Sequence, residues 1–220
     1  MIRCKVGFLV CVFALLTPVL LLASPSGLNN IPTADFAPQG TLVLQAYSSF
    51  QSDSKTSGTL GAKYGVGYGL EIGADWQGAA SPTGPLTLQV KKTWPVADAD
   101  TRFCLGLANI NTNTGDNPLY PYAVVSQKLA AKWRGHAGYA PQKDNKQWFL
   151  GTDYTLPCGT MLRSDYVHGT TNDFNLYSLG ALVPTKFGAV EGWVSRNCPG
   201  GAGSSNATIY TLKLDYAFQP

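Results

Sequence analysis

The last stretch of this chain alternates without a break. Tyr210, Leu212, Leu214, Tyr216 and Phe218 fall on one side, and Thr211, Lys213, Asp215 and Ala217 on the other. Successive side chains take opposite faces only in extended backbone, so the pattern dictates a β-strand with one apolar and one polar face. Residues 68–76 repeat it, with Tyr68, Leu70, Ile72, Ala74 and Trp76 opposite Gly69, Glu71, Gly73 and Asp75. Residues 146–156 do the same: Trp148, Leu150, Tyr154 and Leu156 oppose Gln147, Gly151, Asp153 and Thr155. Helical periodicity is absent, because Gly, Pro, Thr and aromatic residues interrupt every window. The fold class is therefore all-β.

The apolar faces can meet either a core or lipid. Hydrophobic residues make up 45% of the 220 residues and charged ones 13%, about half the share of an ordinary soluble domain. Such a length supports one domain. A net charge of +3 without any basic cluster excludes a nucleic-acid partner. Beyond residue 24 no run of about 20 apolar residues exists, so no helix there can span a membrane. The polar faces are rich in Gly and Thr, and the apolar faces end in Trp, Tyr or Phe. Rings at strand ends match the interfacial girdles of a transmembrane barrel. The expectation is apolar-out and polar-in, with the reversed arrangement, a secreted soluble all-β binding protein, left open.

Counting segments predicts an up-and-down antiparallel barrel of about twelve strands, each of about 9–11 residues, enough to cross a bilayer when tilted. They fall near 41–50, 57–65, 67–77, 84–94, 101–111, 118–129, 131–140, 146–156, 159–168, 174–183, 186–196 and 207–218. Ten or fourteen strands stay open if one hairpin is miscounted. Connections alternate between long polar ones, around 52–56, 78–83, 111–117, 141–145, 169–172 and 197–206, and short ones at 65–67, 95–100, 130, 157–158 and 184–185. Outer-membrane barrels have this asymmetry, with long loops outside and tight periplasmic turns.

Residues 1–24, MIRCKVGFLVCVFALLTPVLLLAS, carry basic Arg3 and Lys5, an apolar run from Val6 to Leu22, and small Ala23 and Ser24. This is the signature of a cleaved secretory signal peptide, leaving 25–220 as a single barrel domain. The terminal Leu212-Lys-Leu-Asp-Tyr-Ala-Phe218 resembles the C-terminal assembly signal of bacterial outer-membrane proteins, with Gln219 and Pro220 following the Phe. That resemblance implies a Gram-negative outer membrane, its lipid as surroundings and the barrel-assembly machinery as a partner. Ser26-Gly-Leu-Asn-Asn-Ile-Pro-Thr-Ala-Asp35, with Gly40-Thr41 after it, resembles the opening of YjbH-like outer-membrane barrels, a family associated with exopolysaccharide export. The likeness covers about 20 residues and bears on compartment and fold; the export role is not carried over.

On this register the inward charges are Lys63, Glu71, Asp75, Lys91, Arg102, Arg134, Asp153, Arg163, Asp165, Lys213 and Asp215. Both signs are nearly equal in number. They suit an interior ion-pair ladder that stiffens a small barrel, or the wall of a narrow pore for ions or small solutes. Barrels of about eight strands are filled by side chains and those of sixteen or more enclose a channel, so twelve lies between. Inward glycines at 61, 69, 73 and 151 are expected to leave space for a conduit.

Enzyme chemistry finds little support. Only His136 and His168 are available as bases. His168, near Thr170, Thr171 and Asp173, is the candidate for a barrel-borne hydrolase. No Gly-x-Ser-x-Gly elbow, His-Glu-x-x-His zinc motif or phosphate-cradling Gly loop occurs. No catalytic residue, metal or cofactor is expected. Cys104, Cys158 and Cys198 fall in a strand, a short turn and a long connection, and are expected as three unpaired thiols. Asn206-Ala-Thr208 formally matches a glycosylation acceptor and carries no weight in a bacterial outer membrane.

Overall fold

The computed structural model describes residues 27–51, 56–76, 86–96, 98–110, 119–142, 145–170, 174–198 and 207–218. Residues 1–24, the signal-peptide expectation, lie outside these, as do Asn206 and most of the long connections. Twelve strands form: β1 (Leu42–Gln51), β2 (Thr56–Gly67), β3 (Leu70–Trp76), β4 (Leu86–Val96), β5 (Asp98–Ile110), β6 (Tyr120–Ala130), β7 (Trp133–Pro141), β8 (Lys146–Thr155), β9 (Met161–Gly169), β10 (Phe174–Thr185), β11 (Gly188–Asn197) and β12 (Ala207–Phe218). Each pairs antiparallel with its chain neighbours, and β12 returns to β1 to close the barrel. The closing register runs from Leu42↔Phe218 to Gln51↔Ile209. Closure has a physical cause. An unpaired strand edge in lipid leaves backbone groups unsatisfied at several kcal/mol each.

Alternation decides which side faces out. On β12, Tyr210, Leu212, Leu214, Tyr216 and Phe218 are exposed, whereas Thr211, Lys213 and Asp215 are buried. Leu60, Tyr64 and Ile72 on β2 and β3, and Trp148, Leu150 and Tyr154 on β8, continue the exposed apolar surface. A ten-residue strand such as β1, at about 3.3 Å per residue and a tilt of about 40°, spans roughly 25 Å, the height of an outer-membrane apolar band. Rings gather at both rims: Trp94 lies 6.1 Å from Phe103 and Tyr216 4.5 Å from Phe218 at the turn end, and Trp148 5.1 Å from Tyr166 at the other.

Local chemistry fixes the short turns. Tyr68 and Gly69 both adopt positive φ, 53° and 77°, the two-residue primed turn whose twist suits a hairpin. Gly69 therefore belongs to the turn and not to the inward wall expected for it. Strand β9 starts at Met161 because the chain between Leu156 and Thr160 folds back on itself, with Leu156 N–H donating to Thr160 O at 2.8 Å.

Candidate functional site

Residues 27–39 precede the first strand and run inside the barrel. A tight turn opens the segment, with Leu28 N–H donating to Ile31 O at 2.9 Å. Leu28, Ile31 and Ala34 pack with Cys104, Val124, Ala140, Phe149 and Val167, the apolar inward side chains of β5 to β9. The tips of Leu28 and Ile31 occupy the space over Gly151, where a Cβ would collide with them. The space at Gly61 is likewise taken, by the Asp75 carboxylate, and Gly73 is covered by the Gln89 side chain. These glycines admit neighbours and do not widen a conduit.

Polar contacts hold the rest of the segment. Asn29 Nδ2 donates to Ser178 Oγ at 3.0 Å, and Asn30 donates through its backbone N–H to Asp165 at 2.9 Å and through Nδ2 to Ser195 at 2.9 Å. The Ala34 N–H donates to Ser126 Oγ at 2.9 Å, and the Ala37 N–H to Glu71 at 2.7 Å. Lys91 Nζ donates to the carbonyls of Thr33 and Asp35. Arg134 Nη1 donates to both Asp35 oxygens at 2.8 and 3.0 Å, and its Nη2 to Asp153 at 2.6 Å. Arg102, at the turn-end rim, lies 3.9 Å from Asp35 and 6.0 Å over the Phe36 ring. Beyond that, Gln39 bridges in parallel to Gly65 on β2, and Ala37 packs with Val43 on β1 and Ala217 on β12. The segment thus meets all twelve strands. A chain that meets strands all around the wall runs through the lumen.

Asp35 shows the electrostatic cost and its remedy. Burial alone raises its pKa, but the Arg134 guanidinium, with help from His136 and Lys91, more than offsets this and holds the carboxyl below its usual range.

Two further clusters stiffen the wall. Glu191, 1% exposed, accepts from Arg163 at 2.6 Å and from Lys213 at 3.1 Å. Lys213 also lies 3.3 Å from Asp215, which accepts from Gln45 at 2.8 Å. Asp75 accepts from Tyr47 Oη at 3.2 Å and Gln89 Nε2 at 2.9 Å. Among the eleven charges read from the sequence, Glu71, Lys91, Arg102, Arg134 and Asp165 act on the inner segment itself, Arg163 through its carbonyl, and Asp153 through Arg134. Lys213, Asp215 and Asp75 pair within the wall, and Lys63 lines the remaining space.

Sequence reasoning missed Glu191, Ser126 and Asp35. Asp35 carries no periodic signal because it lies in irregular chain. Glu191 is followed by Gly192 and a bulky inward Trp193, which together hide the alternation of β11.

The two histidines differ. His136 is buried, with Nδ1 2.7 Å from Ser126 Oγ and Nε2 3.1 Å from Asp153. Ser126 Oγ also accepts the Ala34 N–H, so this trio anchors the segment that covers it. His168 Nδ1 lies 3.1 Å from Asn175 Oδ1 and its ring 5.2 Å from Trp148. Thr170 Oγ1 instead accepts the Lys146 N–H at 3.1 Å, while Thr171 and Asp173 lie outside the described residues. Cys104, Cys158 and Cys198 are free thiols, in a strand, in the β8–β9 turn and beyond β11.

Above the inner segment a cavity of about 980 Å³ remains, floored by residues 27–32 and reaching Gln51, Ser57 and Ile209 at the long-connection end. Among the described residues, the inner segment lies toward the turn side of this cavity.

No protein-family model matches this chain, and no curated protein matches it. Among solved structures, its fold is similar to the KdgM porin in complex with disordered oligogalacturonate and to the KdgM porin alone. Each has a TM-score of 0.59 at 13% identity, over 80% of this chain and 99% of that one. The NanC porin is similar at a TM-score of 0.54 and 12% identity, over 79% of this chain and 98% of that one. At these identities the likeness establishes the fold: a closed twelve-strand antiparallel barrel of the porin type.

Proposed function

We propose that this chain is an integral outer-membrane barrel that acts as a narrow pore for small polar solutes and is closed at rest by its own N-terminal segment. The observation that carries the reading is a polar lumen wrapped in an apolar exterior and entered, among the described residues, by residues 27–39. The similar porins support a channel rather than an enzyme; one of them was solved with oligogalacturonate, a saccharide. A secreted soluble protein is disfavoured by the belt of exposed Leu, Tyr and Trp, which water would penalise at about 25 cal/mol per Å². The eleven inward charges serve as pore wall and segment anchors. Export through the N-terminal signal, contact with outer-membrane lipid and insertion by the barrel-assembly machinery complete the proposal. The YjbH-like opening residues are, in this reading, the closing segment.

Planar-bilayer recording of the refolded protein tests this. The wild type should be silent or open rarely, and a variant with weakened segment anchors should conduct. Silence of both would refute the pore.

A further inference from the structure

We infer that the 980 Å³ cavity above the closing segment is a binding site for a neutral, polyhydroxylated ligand, a short uncharged oligosaccharide. The inference rests on the pore reading and names the solute class it serves.

The size admits roughly two or three sugar rings, at the upper end of small-molecule sites. Its chemistry is divided between rings and uncharged hydrogen-bonding groups. Tyr47, Tyr120, Tyr122 and Trp193 supply aromatic surface on opposing walls, β1 and β11 against β6. Sugar rings present apolar C–H faces that such surfaces cover, while their hydroxyls need both donors and acceptors at the edges. Amides of Gln45 and Gln89 and hydroxyls of Ser49 and Thr211 provide both.

Two wall atoms are left without a protein partner. Gln45 is 3% exposed, and while its Nε2 is spent on Asp215, its Oε1 accepts from no described residue. Trp193 Nε1 donates to none. Both side chains line the cavity, with these two atoms themselves covered beneath its surface.

Charge decides between neutral and acidic sugars. Lys63 and Lys213 are the only charged side chains on the cavity wall among the described residues. Lys213 is already held by Glu191 at 3.1 Å and Asp215 at 3.3 Å. Lys63 lies within the fields of the Glu71 and Asp75 carboxylates, so carboxylates accompany both cations and the wall offers little net positive field to a polyanion.

The test uses the full refolded chain in nanodiscs, titrated calorimetrically with maltotriose, chitotriose and trigalacturonate. Saturable binding of a neutral trisaccharide, weakened at least tenfold by Trp193→Leu and by Tyr120→Leu and less by Trp193→Phe, is the expected result. Folding of each variant is checked by its heat-modifiable gel mobility. Tighter binding of trigalacturonate that Lys63→Met abolishes would overturn the neutral assignment. No saturable binding of any of the three would overturn the site. Conductance on the same preparation separates the readings. Conduction without sugar binding sinks the site and leaves the pore, whereas sugar binding without conduction by segment-weakened variants supports the site and sinks the pore.

Discussion

Replacing Asp35 by Asn should release the closing segment. The side chain keeps its size and loses its charge, so the two contacts from Arg134, at 2.8 and 3.0 Å, lose their ionic character. Removing one partner of a fully buried pair costs about 3–5 kcal/mol. This site is milder, because the Asp35 and Arg134 side chains are 23% and 31% exposed and Arg134 keeps Asp153. A charged hydrogen bond of about 1.5–3 kcal/mol is the better guide. That loss falls on the closed state alone, since the released segment has no lumen contacts to lose. At about 1.4 kcal/mol per decade, the open fraction should rise roughly 10- to 100-fold. Single-channel recording at fixed voltage reads this as open probability, with unitary conductance unchanged. A folded Asp35→Asn barrel whose open probability equals that of the wild type would refute the anchoring argument.

Acidification should mimic the substitution. The Asp35 carboxyl sits below its ordinary value of 3.8, so its contribution is complete above that pH and disappears as pH falls through the lowered value. The Asp35 share of the closure should be lost only below about pH 4, so the rise in open probability there should be smaller in Asp35→Asn. Glu191→Ala removes the carboxylate that Arg163 and Lys213 share, leaving Lys213 with Asp215, and should cost about 3 kcal/mol. The heat-modifiable transition should move to lower temperature or urea, and an unshifted transition would contradict the pairing. Cysteine labelling reads orientation. On intact cells an impermeant maleimide should reach Cys198 and not Cys158, which sits in a turn at the opposite end, while Cys104, 0% exposed, should react only after denaturation.

The barrel is legible in the sequence because alternation is a local signal. Residues 68–76, 146–156 and 210–218 each declare a face, and the alternation of long and short connections orders them. Boundaries drift by a few residues where turns recruit their neighbours, as at Leu156 and Thr160. The closing segment was not legible. Its contacts join residues far apart in the chain, Asp35 to Arg134 and Asn30 to Ser195, and no periodicity announces them. The inward charges could be named from β-strand register, but what they hold could not. Five of them act on a segment that reads, in sequence, as a mere lead-in to the first strand. Glu191 escaped for a related reason: Gly192 and Trp193 invert the size pattern on which the register was read.

Residues 27–39 lie ordered inside the lumen. Hydrogen exchange on the refolded, full-length barrel measures it directly. The N–H groups of Leu28, Asn30, Ala34 and Ala37 donate inside the barrel and should exchange as slowly as those of the flanking strands. Exchange of these four at the rate of unstructured chain, with the strands still protected, would mean that the segment is not held inside the barrel.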